Sequence, residues 1–380
     1  MSGPQAPPER LPADRGDLAS FGERLLAVID EGRKTATYKL ATLLAIIDSC
    51  AEGASPSGQA PQTIPTRKIA HHVARLYWPQ VRPFVPPPGV VPKVEPLDLR
   101  QITNKSATVI EVLRRASKSL PLVASWDRAT SLLPAGVVQE VLDKVEHTVA
   151  RYPLVRLQTI DNVAQCFIYD IDWDEGVTQA ELAACGGARI RLRPGAGDHL
   201  VRLAPLVRPL VELHWVRMVA RLNDLGLMEE DLHRHLFGAE RVPFPADLRR
   251  GLLEVQRGDC FYCRGRVTSS PTVDHFVPWS RWPNDAVENL VIAHSSCNSH
   301  KSDHVAGPVP LRRWVQRLSE QTGELADIAR LTGWRTDRSA TVALARSLYA
   351  HLPDGALVWN APREVLAARS SEMLGLLASL

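Results

Sequence analysis

Between Lys39 and Ile47 the apolar residues Leu40, Leu43, Leu44 and Ile47 recur at the i, i+3, i+4, i+7 spacing that lines one face of an α-helix. A Gly/Ser/Pro-rich stretch from Cys50 to Pro61 interrupts the pattern and predicts a loop. Pro65 and Thr66 then open a second helical pattern, with Ile69, Val73, Leu76 and Tyr77 on one side and Trp78-Pro79 as its stop. The run PFVPPPGVVPKVEP, from Pro83 to Pro96, lacks the backbone donors a helix needs, so it reads as an extended connector between subdomains.

Residues 97–150 and 199–236 carry further helical patterns, such as Val109, Val112 and Leu113, then Leu203, Leu206, Val207 and Leu210. Between them CFIYDIDW (Cys166 to Trp173) and ARIRLRPG (Ala188 to Gly195) are short, rich in branched and aromatic residues, and predict strands. Beyond Pro310 the spacing of Leu318, Leu325, Ile328 and Leu331 is helical again, and the chain closes with Val365 to Leu380 as part of a helical C-terminal region. The expected fold is mainly α, with a small sheet inserted in the middle. Four regions follow: an N-terminal helical region (1–96), a helical body with short strands (97–245), residues 246–306, and a C-terminal helical region (307–380).

Length and composition narrow the class. The 380 residues allow two to three folded units at about 100–200 residues each. With 45% hydrophobic and 23% charged residues, the chain is neither disordered throughout nor collagen-like. The opening MSGPQAPPERLPADRGD is polar and Pro-rich, which predicts a disordered head and lacks the apolar core of a secretory signal. No run reaches the ~18 uncharged apolar residues of a membrane helix, so a cytoplasmic location without membrane partners is expected. Six cysteines are too few for a disulfide framework, and Cys50, Cys166 and Cys185, scattered in apolar surroundings, read as buried thiols.

The net charge of +3 is too balanced to announce a polyanion partner, which leaves the local distribution to decide. Residues 67–118 hold ten basic side chains, including Arg67, Lys68, Arg75 and Arg114, against three acidic ones, a local +7. Arg189, Arg191, Arg193, Arg202 and Arg208 form a smaller basic cluster. Either could track a phosphate backbone, or simply form solvated helix faces.

Chemistry concentrates in RGDCFYCRGRVTSSPTVDHFVPWSRWPNDAVENLVIAHSSCNSHKSDHVA, residues 257–306. Cys260-x2-Cys263 is mirrored by His294-x2-Cys297, and two such tight pairs supply the four N/S ligands of a tetrahedral zinc site. His300 and His304 are weaker alternatives to His294, because they break the mirrored spacing. Between the pairs lie Val273-Asp274-His275-Phe276-Val277-Pro278, then Asn289-Leu290-Val291, and Cys297-Asn298-x2-Lys301 overlaps the second pair.

The order and gaps of these parts resemble the HNH nuclease family over about 50 of the 380 residues. The resemblance implies a zinc-stabilised ββα-metal nuclease module over residues 246–306, with Asp274 and His275 on a strand and Asn298 on the following helix. His275 suits the general base, since an imidazole of ordinary pKa ~6.5 can accept a proton from water. Asp274 and Asn298 offer hard oxygens to a catalytic divalent cation, Mg²⁺ or Mn²⁺, and Asn289 corresponds to the family's middle Asn, a loop clamp. Asn298 replaces the family's final His, which favours Mg²⁺ or Mn²⁺ over metals that prefer imidazole. Lys301, one helical turn beyond Asn298, is expected to share its face and meet the phosphate, with Arg281 nearby.

Residues 246–306 carry seven basic and seven acidic side chains, so DNA must be held elsewhere, with Arg67 and Lys68 as candidates. The function so implied is a metal-dependent DNA endonuclease of restriction, antiphage defence or a mobile element, with structural Zn²⁺. Alternatives are a non-catalytic, zinc-containing nucleic-acid-binding protein, and a nuclease active only with a partner protein. A single site of this kind cuts one strand at a time, so a homodimer is a further expectation.

Overall fold

The computed structural model describes residues 17–30, 36–87, 96–103, 107–118, 120, 125–160, 163–238, 244–268, 271–353 and 355–380. The head at 1–16, the centre of the Pro-rich connector at 88–95 and the Cys185 side chain, each the subject of an expectation above, lie outside the described residues.

The chain is mainly helical with small sheets. It opens with α1 (Leu18–Asp30), whose Phe21, Leu25, Val28 and Ile29 fall at i, i+4, i+7, i+8 and are buried. Then come α2 (Tyr38–Ala51), β1 (Thr63–Pro65), α3 (Thr66–Tyr77), α4 (Thr108–Ser117), α5 (Trp126–Leu132), α6 (Ala135–Arg151) and the short α7 (Pro153–Arg156). Helix α2 is buried from Leu40 to Ala51, because α3 and α9 (Ala196–Leu222) pack on it from different sides. One amphipathic face therefore understates its burial. The ends of the Pro-rich connector close on each other: the Phe84 and Leu97 backbones exchange hydrogen bonds of 2.8 and 2.7 Å.

The middle sheet forms where the branched and aromatic segments lie. It comprises β4 (Tyr169–Asp170) and β5 (Arg189–Leu192), paired antiparallel, with β1 added on the far edge of β5. A separate two-residue ladder joins β2 (Thr159–Ile160) to β3 (Val163–Ala164), and the short α8 (Gln179–Ala183) carries a capping box from Thr178 and Glu181. After α9 come α10 (Glu229–Leu236) and α11 (Ala246–Val255), then a hairpin of β6 (Thr272–His275) and β7 (Leu290–Ala293), and α12 (Ser295–Lys301).

The C-terminal region contains α13 (Pro308–Glu320), α14 (Thr322–Thr332) and α15 (Arg338–Ala350). The helix expected from Val365 onward is corrected: β8 (Leu357–Ala361) and β9 (Glu364–Ala367) make a hairpin, and only α16 (Ser370–Leu377) is helical. Pro362 and the left-handed Arg363 (φ 68°) turn the chain, while Trp359 exchanges backbone hydrogen bonds with Val305 and Gly307 just after α12. Tertiary pairing thus overrides the local apolar pattern.

Among the described residues the larger of two apolar clusters runs from Leu25 and Ile47 through Tyr77 and Trp215 to Phe276, Trp314 and Tyr349, and a small one gathers Ala150, Val177 and Leu182. Cys50 is buried, but Cys166 is exposed, which corrects its reading as a buried thiol. Among the described residues, no helix is long and apolar enough to cross a membrane.

Candidate functional site

Two tight turns create the metal-type cluster. After α11, the Cys260 N–H donates to the Gly265 carbonyl at 2.9 Å, and Arg264 takes a left-handed conformation (φ 64°) to close the first turn. The second turn is the start of α12, where His294 is the residue before the helix and Cys297 lies in its first turn. The ligand atoms of Cys260, Cys263, His294 and Cys297 all lie within 4.8 Å of one another. Cys263 Sγ is 3.2 Å and Cys297 Sγ 3.9 Å from His294 Nδ1, bracketing the roughly 3.6 Å edge of a tetrahedron built from ordinary Zn–S and Zn–N bonds. Two amides, of Gly265 and His294, point at Cys263 and Cys260 sulfur respectively, each at 3.4 Å. His294 Nε2 is 3.1 Å from the Arg266 carbonyl, which leaves Nδ1 as the ligand atom.

Protonation within the cluster is shifted by its own members. Burial and the neighbouring Cys260 and Cys263 push the Cys297 thiol up to about 12. The Cys263 thiol moves down, because the Gly265 amide and its neighbours outweigh its modest burial, and hydrogen bonds to Arg266 and Cys263 raise His294. Three sulfurs and an imidazole could hold zinc, which relieves their mutual repulsion. His300 and His304 are not part of the group.

Beside the cluster, β6 pairs with β7 so that Asp274 faces Val291 and His275 faces Leu290. Successive strand residues point to opposite sides, and the two side chains do diverge. Asp274 is buried, and its Oδ2 accepts from the Tyr262 hydroxyl and from Lys301 Nζ, the latter at 3.1 Å. Oδ1 carries no such bond among the described residues. Burial, and then the Asp274 charge, hold the Tyr262 hydroxyl well above its ordinary range, so it stays protonated and donates.

Lys301 departs from expectation. Its side chain is 0% exposed, and Nζ is shared between Asp274 and the His275 carbonyl (2.9 Å). It therefore has no surface to offer a phosphate. Desolvation lowers its pKa, and Asp274 partly opposes that shift. Asn298 lies one turn earlier on α12, half-buried.

His275 sits between two aromatic rings, with Trp279 at 5.1 Å and Phe244 at 5.9 Å between centroids. Its Nε2 is 2.7 Å from Asp285 Oδ1. Asp285 is a site residue that the sequence reading missed. Its only signal was an Asn-Asp pair ten residues after the histidine, in a loop that has no fixed geometry in sequence. Asn289, 0% exposed, closes that loop: Oδ1 accepts from the Val277 N–H (2.8 Å), while Nδ2 donates to the carbonyls of Val277 (3.2 Å) and Asn284 (2.9 Å).

The loop is braced from outside the hairpin. Asn284 donates to Thr341 on α15 (3.0 Å), and the Trp334 indole donates to the Asp285 carbonyl (2.7 Å). The Arg208 guanidinium on α9 bonds Asp48 on α2 and lies 5.2 Å above the Trp282 ring. Glu288 accepts from Thr336 Oγ1 and the Asp337 amide, and Arg335 reaches Asp127 (3.3 Å) on α5.

Part of the expected phosphate-tracking surface is neutralised. Arg67 pairs with Asp143 and with Glu146 (3.2 Å), Arg75 with Glu52 (3.2 Å) and Asp48 (3.6 Å), and Arg114 with Asp98 (3.1 Å). In the smaller cluster, Arg191 pairs with Asp172, Arg193 with Asp170 and Arg208 with Asp48. Most of the acids come from outside each basic segment, so a count confined to that segment could not see them. Lys68 is half-buried, and Arg281 is exposed on the loop that follows His275.

A family model described as "Domain of unknown function (DUF8808)" matches residues 18–236, more than half of the chain. A second, described as "HNH endonuclease", matches residues 265–306, and the Cys/His cluster lies in the same region. No curated protein and no solved structure matches the chain.

Proposed function

From the premise that the chain belongs to the DUF8808 family and carries an HNH endonuclease domain after it, we propose that it is a metal-dependent endonuclease whose β6, β7 and α12 form a ββα-metal core. The HNH domain implies a nucleic-acid substrate, and DNA is our reading. The observation that carries the proposal is that one hairpin and its flanking turns hold a zinc-type cluster, a fixed Asp274 carboxylate and, on the next residue of β6, a His275 whose Nε2 is taken by Asp285.

With Nε2–H directed at Asp285, Nδ1 is the nitrogen left to accept a proton from water. The water oxygen attacks phosphorus as its proton passes to His275, the P–O3′ bond breaks, the departing O3′ takes a proton from solvent, and the products are a 3′-hydroxyl and a 5′-phosphate. Asp274 through Oδ1, and Asn298, would hold Mg²⁺ or Mn²⁺, which supplies charge neutralisation to the phosphate when bound. Asn289 keeps the histidine loop closed, and zinc at Cys260, Cys263, His294 and Cys297 fastens hairpin to helix. Arg281 is the exposed cation nearest in sequence to meet the backbone, and Lys68 stays a more distant candidate; Arg67, already paired, is a weaker one. Restriction, antiphage defence or a mobile element are settings that such an activity fits.

One observation favours a second reading, a nucleic-acid-binding protein with a silent core: the Lys301 ammonium already neutralises Asp274. Incubation of supercoiled plasmid with the full chain and Mg²⁺ or Mn²⁺ separates the two. Nicking that disappears in His275→Ala, with zinc retained, supports the nuclease. Binding without nicking supports the silent core, and a fully active His275→Ala overturns the base assignment.

A further inference from the structure

Tyr262 lies between two zinc-type ligands, in Cys260-Phe261-Tyr262-Cys263, yet its hydroxyl reaches across to Asp274 on β6. We propose that Tyr262 is a positioning residue that carries the geometry of the cysteine turn to the carboxylate that would hold the catalytic cation. The proposal rests on the nuclease reading above and adds a residue to it.

The ring has little freedom to move. It meets Trp359 of β8 nearly edge-on (centroids 5.0 Å apart, planes at 81°) and Phe261 at 5.3 Å, while Lys301 Nζ lies 5.9 Å over its face. The Arg313 guanidinium on α13 donates to the carbonyls of both Phe261 and Tyr262, tying down the backbone of the turn. A carboxylate's terminal torsion is soft and two-fold, so an Asp held by one bond can present either oxygen. Here two donors from different elements, the Tyr262 hydroxyl and Lys301 Nζ, meet on Oδ2. That convergence selects Oδ1 as the oxygen left to ligate, and it makes the choice depend on the turn that carries Cys260 and Cys263. The ammonium supplies charge but rides on α12; the phenol supplies the direction fixed from the zinc side.

Tyr262→Phe in the full chain tests this. Zinc content, Mn²⁺ affinity by titration calorimetry, and nicking at rising Mn²⁺ are measured against the parent. Loss of an outer-shell partner typically weakens metal binding about 10–100-fold, and that is the expected rise in the Mn²⁺ dissociation constant. Zinc stoichiometry should be unchanged, and nicking should recover toward the parent rate at saturating Mn²⁺. In an Asp274→Asn background the same substitution should change Mn²⁺ affinity no further, since Tyr262 acts through that carboxylate. p-Aminophenylalanine at position 262, which restores a donor on the same ring, should recover affinity. Should Tyr262→Phe lose zinc or its cooperative unfolding, Trp359→Phe, which keeps the hydroxyl but loosens the ring, is expected to weaken Mn²⁺ binding severalfold. Unchanged Mn²⁺ affinity in the folded variant overturns the proposal while leaving the nuclease intact. A parent chain that neither binds Mn²⁺ nor nicks overturns the nuclease reading, and the proposal with it.

Discussion

Replacing Lys301 with Met measures how far the fold depends on the charge beside Asp274. The methionine keeps most of the buried apolar stem and removes the ammonium, leaving a carboxylate whose side chain is only 11% exposed with the Tyr262 hydroxyl as its one remaining partner among the described residues. Breaking a buried pair from one side typically costs about 3–5 kcal/mol. One apolar core links most of the described helices, and unfolding entropy of roughly 2.1 cal/mol/K per residue gives about 0.8 kcal/mol/K for a chain of 380 residues, so the melting temperature should fall by about 4–6 °C. Asp274→Asn alone should cost less, because burial already lowers the Lys301 pKa and the amine can shed its proton. The double variant, with neither charge, should be more stable than Lys301→Met. Scanning calorimetry of the four zinc-loaded proteins closes the cycle. If Lys301→Met melts with the parent, or if Asp274→Asn deepens its loss, the ammonium does not compensate the carboxylate and the pairing argument fails.

Two further expectations concern pH. Burial would raise the Glu52 carboxyl, but His72 and Arg75 hold it well below its ordinary 4.5, so the folded state binds fewer protons than the unfolded chain and Glu52 stabilises fully only above about pH 4.5. The melting-temperature gap between the parent and Glu52→Gln should therefore narrow as pH falls below that value; a constant gap would show that the carboxyl gains nothing from its partners. Zinc affinity should fall on acidification, because Cys297, at about 12, and a raised His294 must both lose protons to bind. Competition with a chromophoric chelator near pH 6 and near pH 8 reads this directly, and equal affinities would argue against thiolate and imidazole ligation.

Spacing is what made the cluster legible in sequence. Cys260, Cys263, His294 and Cys297 converge because two-residue gaps bend both pairs into tight turns, a local constraint that sequence expresses directly. Asn289 was legible by resemblance and does close the loop after His275. Partners chosen by tertiary contact were not. Asp285 reaches His275 across a loop, and Tyr262 reads as a residue between two cysteines, with no sign that its hydroxyl spans to Asp274. Lys301 misled for a related reason: its i+3 spacing from Asn298 fixes a helix face but not what covers that face. The N-terminal helix α1 was missed although Phe21, Leu25, Val28 and Ile29 hold helical spacing.

Part of the basic excess is met from outside its own segment. The local excess at residues 67–118 is real in sequence, but Arg67 and Arg75 are met by Asp143, Glu146, Asp48 and Glu52, all outside that segment. The same network has a second consequence. Arg208 holds Asp48 with one side of its guanidinium and covers Trp282 with its face, while Arg335 joins Asp127 to the stretch that receives Glu288. The loop bearing Asp285 and Asn289 is thus fixed by α2, α5 and α9 as well as by its own hairpin. Arg208, which a count would assign to a phosphate backbone, is instead engaged in holding the histidine loop against the helical body. A charge-assisted contact made inside the protein is not available outside it, so the surface that meets nucleic acid must be sought among exposed cations such as Arg281, on the same loop as the histidine.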